Sequence, residues 1–304
     1  MRMVLLAYFV MCLIFGTTFL AIKIGLQEGW TPYFSAGFRF FLAGFLVVVY
    51  GLVTKQFAFP TKKQLVPFLL TGLCMTGMTF GTLYWAEQYI PSSFAALLSA
   101  TGPLFVTLLH AKIEKSKITR VQFVGLGLGF LGIVLLTFPS LSVQFHLVWL
   151  LACAVVIIGE SFYAFATVYS KKVLKQGISS LMLNGYQMLF GGLSLLIVSF
   201  FVEKPNLSTI NGIGWLSLLY LVIIGSVVGH GLYYWLLQKT NPSFPATWLY
   251  VSPFLSLVLD IVVQGEKIHL LSMLGGIVIL TGVYVMNQHI VKTAFLKKEK
   301  KMVS

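Results

Sequence analysis

Ten apolar runs of roughly 20 residues dominate the chain. They lie at 4–26, 33–53, 65–86, 92–110, 119–138, 147–170, 180–201, 213–237, 244–263 and 270–290. A helix rising 1.5 Å per residue needs about 20 residues to cross a hydrocarbon core ~30 Å thick. Lipid offers backbone N–H and C=O groups no partner, so a spanning chain must be helical or a closed barrel. Barrel strands are about ten residues long and alternate in polarity, whereas these runs are longer and apolar on all sides. The expected fold is therefore all-α and membrane-integral, with ten transmembrane helices. Charged residues make up only 10% of the chain, against about 25% in an average soluble domain, too few to coat a water-facing surface. The first run begins like a secretory signal. It continues to Ala21 and Ile22, past the usual ~7–15-residue apolar core, and no A-x-A site follows; it reads as the first spanning helix. Cys12, Cys74 and Cys153 all fall inside apolar runs and read as buried thiols with no disulfide framework.

The net charge is +13, and its placement decides its meaning. One alternating set of breaks carries seventeen basic residues: Arg2, Lys55, Lys62, Lys63, Lys112, Lys115, Lys117, Arg120, Lys171, Lys172, Lys175, Lys239, Lys292, Lys297, Lys298, Lys300 and Lys301. The other set carries only Lys204 and Lys267. Such a bias marks cytoplasmic loops, so both termini are expected in the cytoplasm. The positive charge is accounted for by topology and anionic lipid, and no nucleic-acid partner is expected. None of the breaks is long enough for a soluble domain.

Gly81 to Pro103 returns 150 positions later as Gly231 to Pro253. Gly81, Tyr84, Trp85, Gln88, Ser93, Phe94, Ala96 and Pro103 meet Gly231, Tyr234, Trp235, Gln238, Ser243, Phe244, Ala246 and Pro253 without a gap. Gly125 and Gly132 meet Gly275 and Gly282, IFGTTFLA at 14–21 meets IIGESFYA at 157–164, and AGFRFFLAG at 36–44 meets NGYQMLFGG at 184–192. The chain thus divides into one repeat over 1–140, a second over 147–290, and a basic cytoplasmic tail at 291–304 that we expect to fray. Five helices per repeat is an odd number, so the second must enter the membrane inverted. Inverted repeats place a shared cavity near the bilayer midplane, here exposed to alternate sides by rocking one half against the other.

FGTTFLAIK, FRFFLAG and SSFAALLSATGPLF, followed by the basic loop Lys112–Ile113–Glu114–Lys115, and their second-half counterparts PSFPATWLYVSPF and Gly265–Glu266–Lys267, resemble the EamA family of the drug/metabolite transporter superfamily. The likeness spans essentially the whole chain and departs at Ile113, where the pattern has Gly. It implies secondary transport, often export, of amino acids and other small metabolites or drugs across the inner membrane.

Ionisable groups inside spanning runs are costly and are functional candidates. Lys23, near one end of the first run, either snorkels to headgroups or meets substrate. Arg39 lies too deep to snorkel and needs an acceptor. Glu160 replaces Thr17 of the first repeat, so the scaffold does not demand an acid there; it is a candidate for a substrate amine or for proton coupling. Tyr163 shares its helical face three residues on, and Tyr84, Tyr233, Tyr234, Trp248 and Tyr250 are further candidate cavity aromatics. Trp85 and Trp235 suit the interfacial belt. Glu87 and Asp260 read as boundary acids, His110 as interfacial, and His230 as a satisfied lone histidine. Pro103 and Pro253, at equivalent places, each leave a carbonyl unclaimed and are hinge candidates. Gly77/Gly81, Gly125/Gly129 and Gly225/Gly229 suit close helix packing, with a homodimer as a lesser use.

No H-E-x-x-H, G-x-S-x-G or G-x-x-x-x-G-K-[ST] pattern occurs, so hydrolytic and ATP-driven mechanisms have no support here. No enzyme activity, metal or cofactor is expected. The leading reading is a metabolite exporter with Lys23, Arg39, Glu160 and Tyr163 around a central cavity. The alternatives are a lipid-acting membrane protein, enzymatic or scramblase-like, and a non-transporting sensor. The topology is checked with single cysteines on intact cells: positions 62 and 115 should resist an impermeant thiol reagent, and position 204 should react.

Overall fold

The computed structural model describes residues 2–140, 146–255 and 269–302, excluding the side chains of 93, 140, 209 and 291–302. The described residues form helices and no strands. In chain order they are α1 Arg2–Gln27, α2 Pro32–Val53, α3 Lys62–Ala86, α4 Phe94–Ile113, α5 Arg120–Thr137, α6 Leu147–Leu174, α7 Ser180–Val202, α8 Gly212–Lys239, α9 at 243–255 and α10 Leu270–Met302. All but α9 are long and apolar enough, within the described residues, to cross a membrane. The far end of the expected ninth run, with Asp260, Gly265, Glu266 and Lys267, lies outside the described residues. The tail does not fray at 291: α10 continues through Met302, in a stretch of Ala, Leu, Lys and Glu with no Gly or Pro to stop it.

Local chemistry sets the ends. Pro32 opens α2, where a missing N–H costs nothing. Gln64 Oε1 accepts from Thr61 N at 2.9 Å, Ser179 Oγ from Met182 N at 3.1 Å and Asn211 Oδ1 from Gly214 N at 3.0 Å, satisfying first-turn donors. After α1 and α6 the chain reverses through Gly29 and Gly177, at φ 99° and 88°.

Two interfaces exceed all others, α2 on α7 and α5 on α10. Both join the two sequence repeats, and both depend on glycine. A Cβ at Gly132 would sit 2.6 Å from Ile279 N, and one at Gly275 2.5 Å from Leu136 N. On the other pair, a Cβ at Gly37 would sit 2.7 Å from Leu196 N. Backbone therefore touches backbone, where a side chain cannot yield. The repeats are therefore in backbone contact along two seams.

Two π-helical stretches interrupt the spans, Leu73–Met78 in α3 and Leu221–His230 in α8, at places the 150-residue offset makes nearly equivalent. α4 breaks at Ala100–Thr101, just before Pro103. In α9 the break falls at Thr247, and Pro253 lies within an unbroken helical stretch. Among the described residues Pro103 adjoins a break and Pro253 does not.

Gly132→Ala should destabilise the protein by about 1–3 kcal/mol, the usual range for overpacking. Gly127→Ala, where a Cβ meets nothing within 4 Å, should be neutral. Thermal melts of the two variants in one detergent test this.

Candidate functional site

Helices α1, α2, α3, α4, α6, α8 and α9 line a cavity between the repeats. Its volume open to water centres is about 40 Å³; one water needs roughly 10–15 Å³ on that scale, so the cavity takes a few waters. Phe15, Phe19, Phe80, Tyr163, Tyr233 and Trp248 supply aromatic walls, and Arg39, Glu160 and His230 supply the ionisable groups.

Arg39, fully buried, reaches from α2. Its Nε donates to Ser226 Oγ at 2.8 Å and its Nη1 to Tyr84 OH at 3.0 Å. The guanidinium carbon lies 4.5 Å from the Phe40 ring centroid and 5.4 Å from that of Phe80, within cation–π range. Nη2 has no hydrogen-bond partner. Tyr84 therefore acts by holding Arg39. Ser226 sits in the π-helical stretch of α8, an irregularity often found at functional sites.

Glu160 enters from α6 and is 5% exposed. Its carboxyl meets α4 at the break. A Cβ on Gly102 would overlap Glu160 Oε2 and lie 2.7 Å from Leu249 Cδ1, so glycine is what admits the acid there. Pro103 has no N–H to give the Ser99 carbonyl. Ser99 Oγ is buried at the break and faces the Glu160 carboxyl. One turn on, Tyr163 OH accepts from Trp248 Nε1 at 3.2 Å, which orients both rings.

Of the expected residues, Arg39, Glu160 and Tyr163 come together on one cavity and Tyr84 stands behind Arg39. Lys23 does not join them. Its Nζ donates to the Glu87 backbone carbonyl at 2.6 Å, tying the end of α1 to that of α3, and its amine has a short, satisfied route that avoids the cavity.

Trp248 and Tyr233, two of the candidate cavity aromatics, do line the cavity. His230 has the local partner expected of a lone histidine, with Nδ1 3.1 Å from Gly225 O, and its ring also packs against Phe15, Phe40 and Phe80 and lines the cavity. One residue that sequence reasoning missed is Gln187. Thr76 Oγ1 donates to Gln187 Oε1 at 2.8 Å, with Thr76 in the π-helical stretch of α3. The repeat pairs Gln187 with Arg39 and Thr76 with Ser226, so the same clasp occurs twice, charged once. The alignment of AGFRFFLAG with NGYQMLFGG contained that signal.

Below the cavity, toward the end bearing most lysines, Tyr8 OH and Thr247 Oγ1 lie 2.8 Å apart and Thr107 Oγ1 donates to Ser243 Oγ at 3.0 Å. At the opposite end both Glu203 carboxylate oxygens accept from the first turn of α2, Tyr33 N and Phe34 N, at 2.8 Å each, where the helix dipole favours an anion. Among the described residues no group of three His, Cys, Asp or Glu could hold a metal.

The model for the EamA-like transporter family matches the chain twice, over residues 1–138 and 150–288. The inner membrane transporter YedA of Escherichia coli K12 is 29% identical over 283 residues, 92% of this chain and 89% of its own. The protein PagO of Salmonella typhimurium is 28% identical over 282 residues, 91% and 90% of the two chains. A crystal structure that is 16% identical superposes with a TM-score of 0.78 over 94% of this chain and 98% of its own, a likeness of fold.

Gly102→Ala should push the Glu160 carboxyl off α4 and lower the melting temperature. Adding Glu160→Ala removes the obstructing atoms, so the double variant should be less destabilised than the sum of the singles. Strict additivity would mean the two residues do not oppose each other.

Proposed function

The chain belongs to the EamA-like transporter family, and on that premise we propose that it exports small metabolites of amino-acid type by alternating access. The family and its relatives are membrane transporters; substrate class, direction and mechanism are our reading. The observation that carries it is one buried cavity receiving Arg39 from the first repeat and Glu160 from the second. Arg39 meets a carboxylate. Glu160 meets the amine, or a proton when the amine is absent. Aromatic rings between them accept an apolar body.

The protein resides in the inner membrane with both termini cytoplasmic, supported by the charge bias and by the description of YedA. The halves are inverted copies, supported by the double family match and by the pairing of α2 with α7 and α5 with α10. Because those pairs are interlocked, the moving bodies are the α2–α7 and α5–α10 seams with their neighbours, and the cavity opens where they part. Pro103, beside the break in α4, is the better-supported pivot.

Glu160→Gln keeps the shape of the side chain and removes its charge. It should cut efflux of the exported amino acid at least tenfold, measured as the intracellular-to-medium ratio, with protein in the membrane at the wild-type amount. Unchanged efflux would remove Glu160 from the mechanism. The solute itself comes from comparing intracellular and medium metabolites with and without overproduction.

A further inference from the structure

Each repeat serves as a control on the other, since a polar group that one copy carries and the other lacks is not demanded by the frame. A carboxyl and three hydroxyls of this kind lie together. Glu160, Tyr163 and Thr167 of α6 stand where the first repeat has Thr17, Leu20 and Ile24, and Tyr233 of α8 stands where it has Leu83. All four are buried. Spacings of three and four put Glu160, Tyr163, Thr167 and Ser170 on one face of α6. The Tyr163 hydroxyl faces that of Tyr233, with ring centroids 6.1 Å apart, and Tyr233 OH lies 2.7 Å from Thr167 Oγ1. One turn on, Ser170 faces Tyr234. The stripe ends at Lys171, whose Nζ donates to Leu237 O at 2.8 Å and Gln238 O at 2.9 Å. Toward the other end the same face carries Val156 and Ala152, buried and apolar. Along that face, hydroxyls lead away from Glu160 in one direction, toward the lysine-rich end.

We propose that Tyr163, Tyr233 and Thr167 carry protons between Glu160 and the cytoplasmic end, so that the proton is the coupling ion. A hydroxyl donates one hydrogen bond and accepts others, so Tyr163 holds Trp248 and still passes a proton. Glu160 and Tyr163 both line a cavity with room for a few waters, and one water links them. The acid gives its proton to that water as the water gives one to Tyr163. Tyr163 passes its own to Tyr233 and Tyr233 to Thr167, and Ser170 and Tyr234 take it on to cytoplasmic water. Each hydroxyl ends neutral, Glu160 ends as a carboxylate, and rotation of the hydroxyls resets the chain. Ser99 faces the carboxyl from α4, and Arg39 and His230 line the same cavity from α2 and α8. Coupling rests on the transport reading; the path does not.

Thr167 is the position to test, because it stands behind the cavity lining. Thr167→Val keeps the shape and removes the hydroxyl, and Thr167→Ser keeps the hydroxyl. The carboxylic acid stretch of Glu160 is assigned in the infrared spectrum of the purified full-length protein by its loss in Glu160→Gln. Its downshift is then timed after transfer to D2O. Thr167→Val should slow that exchange about tenfold, Tyr233→Phe should do the same, and Thr167→Ser should stay near wild type. Exchange at the wild-type rate in Thr167→Val and Tyr233→Phe, equal slowing in Thr167→Val and Thr167→Ser, or no Glu160 band at any pH the fold survives, overturns the path. For coupling, proteoliposomes are loaded with a mixture of labelled amino acids. The ratio of efflux driven by a pH gradient to solute exchange at equal pH should fall about tenfold in Thr167→Val and recover in Thr167→Ser. Slowed proton exchange at Glu160 with an unchanged ratio overturns coupling alone. Slowed proton exchange with no amino acid moved by wild type overturns the transport reading and leaves the path.

Discussion

Lipid cannot hydrogen-bond a peptide group, and the rest of this structure follows from that constraint. Each span closes its own backbone bonds as a helix, and helices so closed gain nothing from hydrophobic contact with one another in hydrocarbon. They gain from proximity, which glycine permits. The Gly132–Gly275 and Gly37–Leu196 approaches join the halves along two seams and leave looser ground between them. The cavity lies on that ground.

Polar groups inside it obey the same constraint from the other side. Where the helical ladder is disturbed, at the π-helical stretches of α3 and α8 and at the break in α4, hydroxyls and backbone become available to side chains. Ser226 and Thr76 meet Arg39 and Gln187 from the π-helical stretches. Glu160 comes against the break, admitted by Gly102. Charge therefore collects where the helices are least regular.

The helices were legible because apolar length is a property of sequence alone, and the expected limits of 33–53 and 180–201 differ by about one residue from Pro32–Val53 and Ser180–Val202. Arg39 and Glu160 were legible because few ionisable groups lie deep in the runs. The direction of Lys23 was not legible, because counting residues gives depth alone: its amine turns to the Glu87 carbonyl. The facing of His230 was hidden for a related reason. A π-helical turn holds more residues than an α turn, so helical phase cannot be projected through Leu221–His230.

The doubled clasp is uneven in one respect. Arg39 on Ser226 and Gln187 on Thr76 are contacts of one kind at aligned positions, yet a guanidinium stays charged in any protein environment and an amide carries no charge. The electric field inside the fold is therefore lopsided, and a frame of two matched halves is not electrically symmetric.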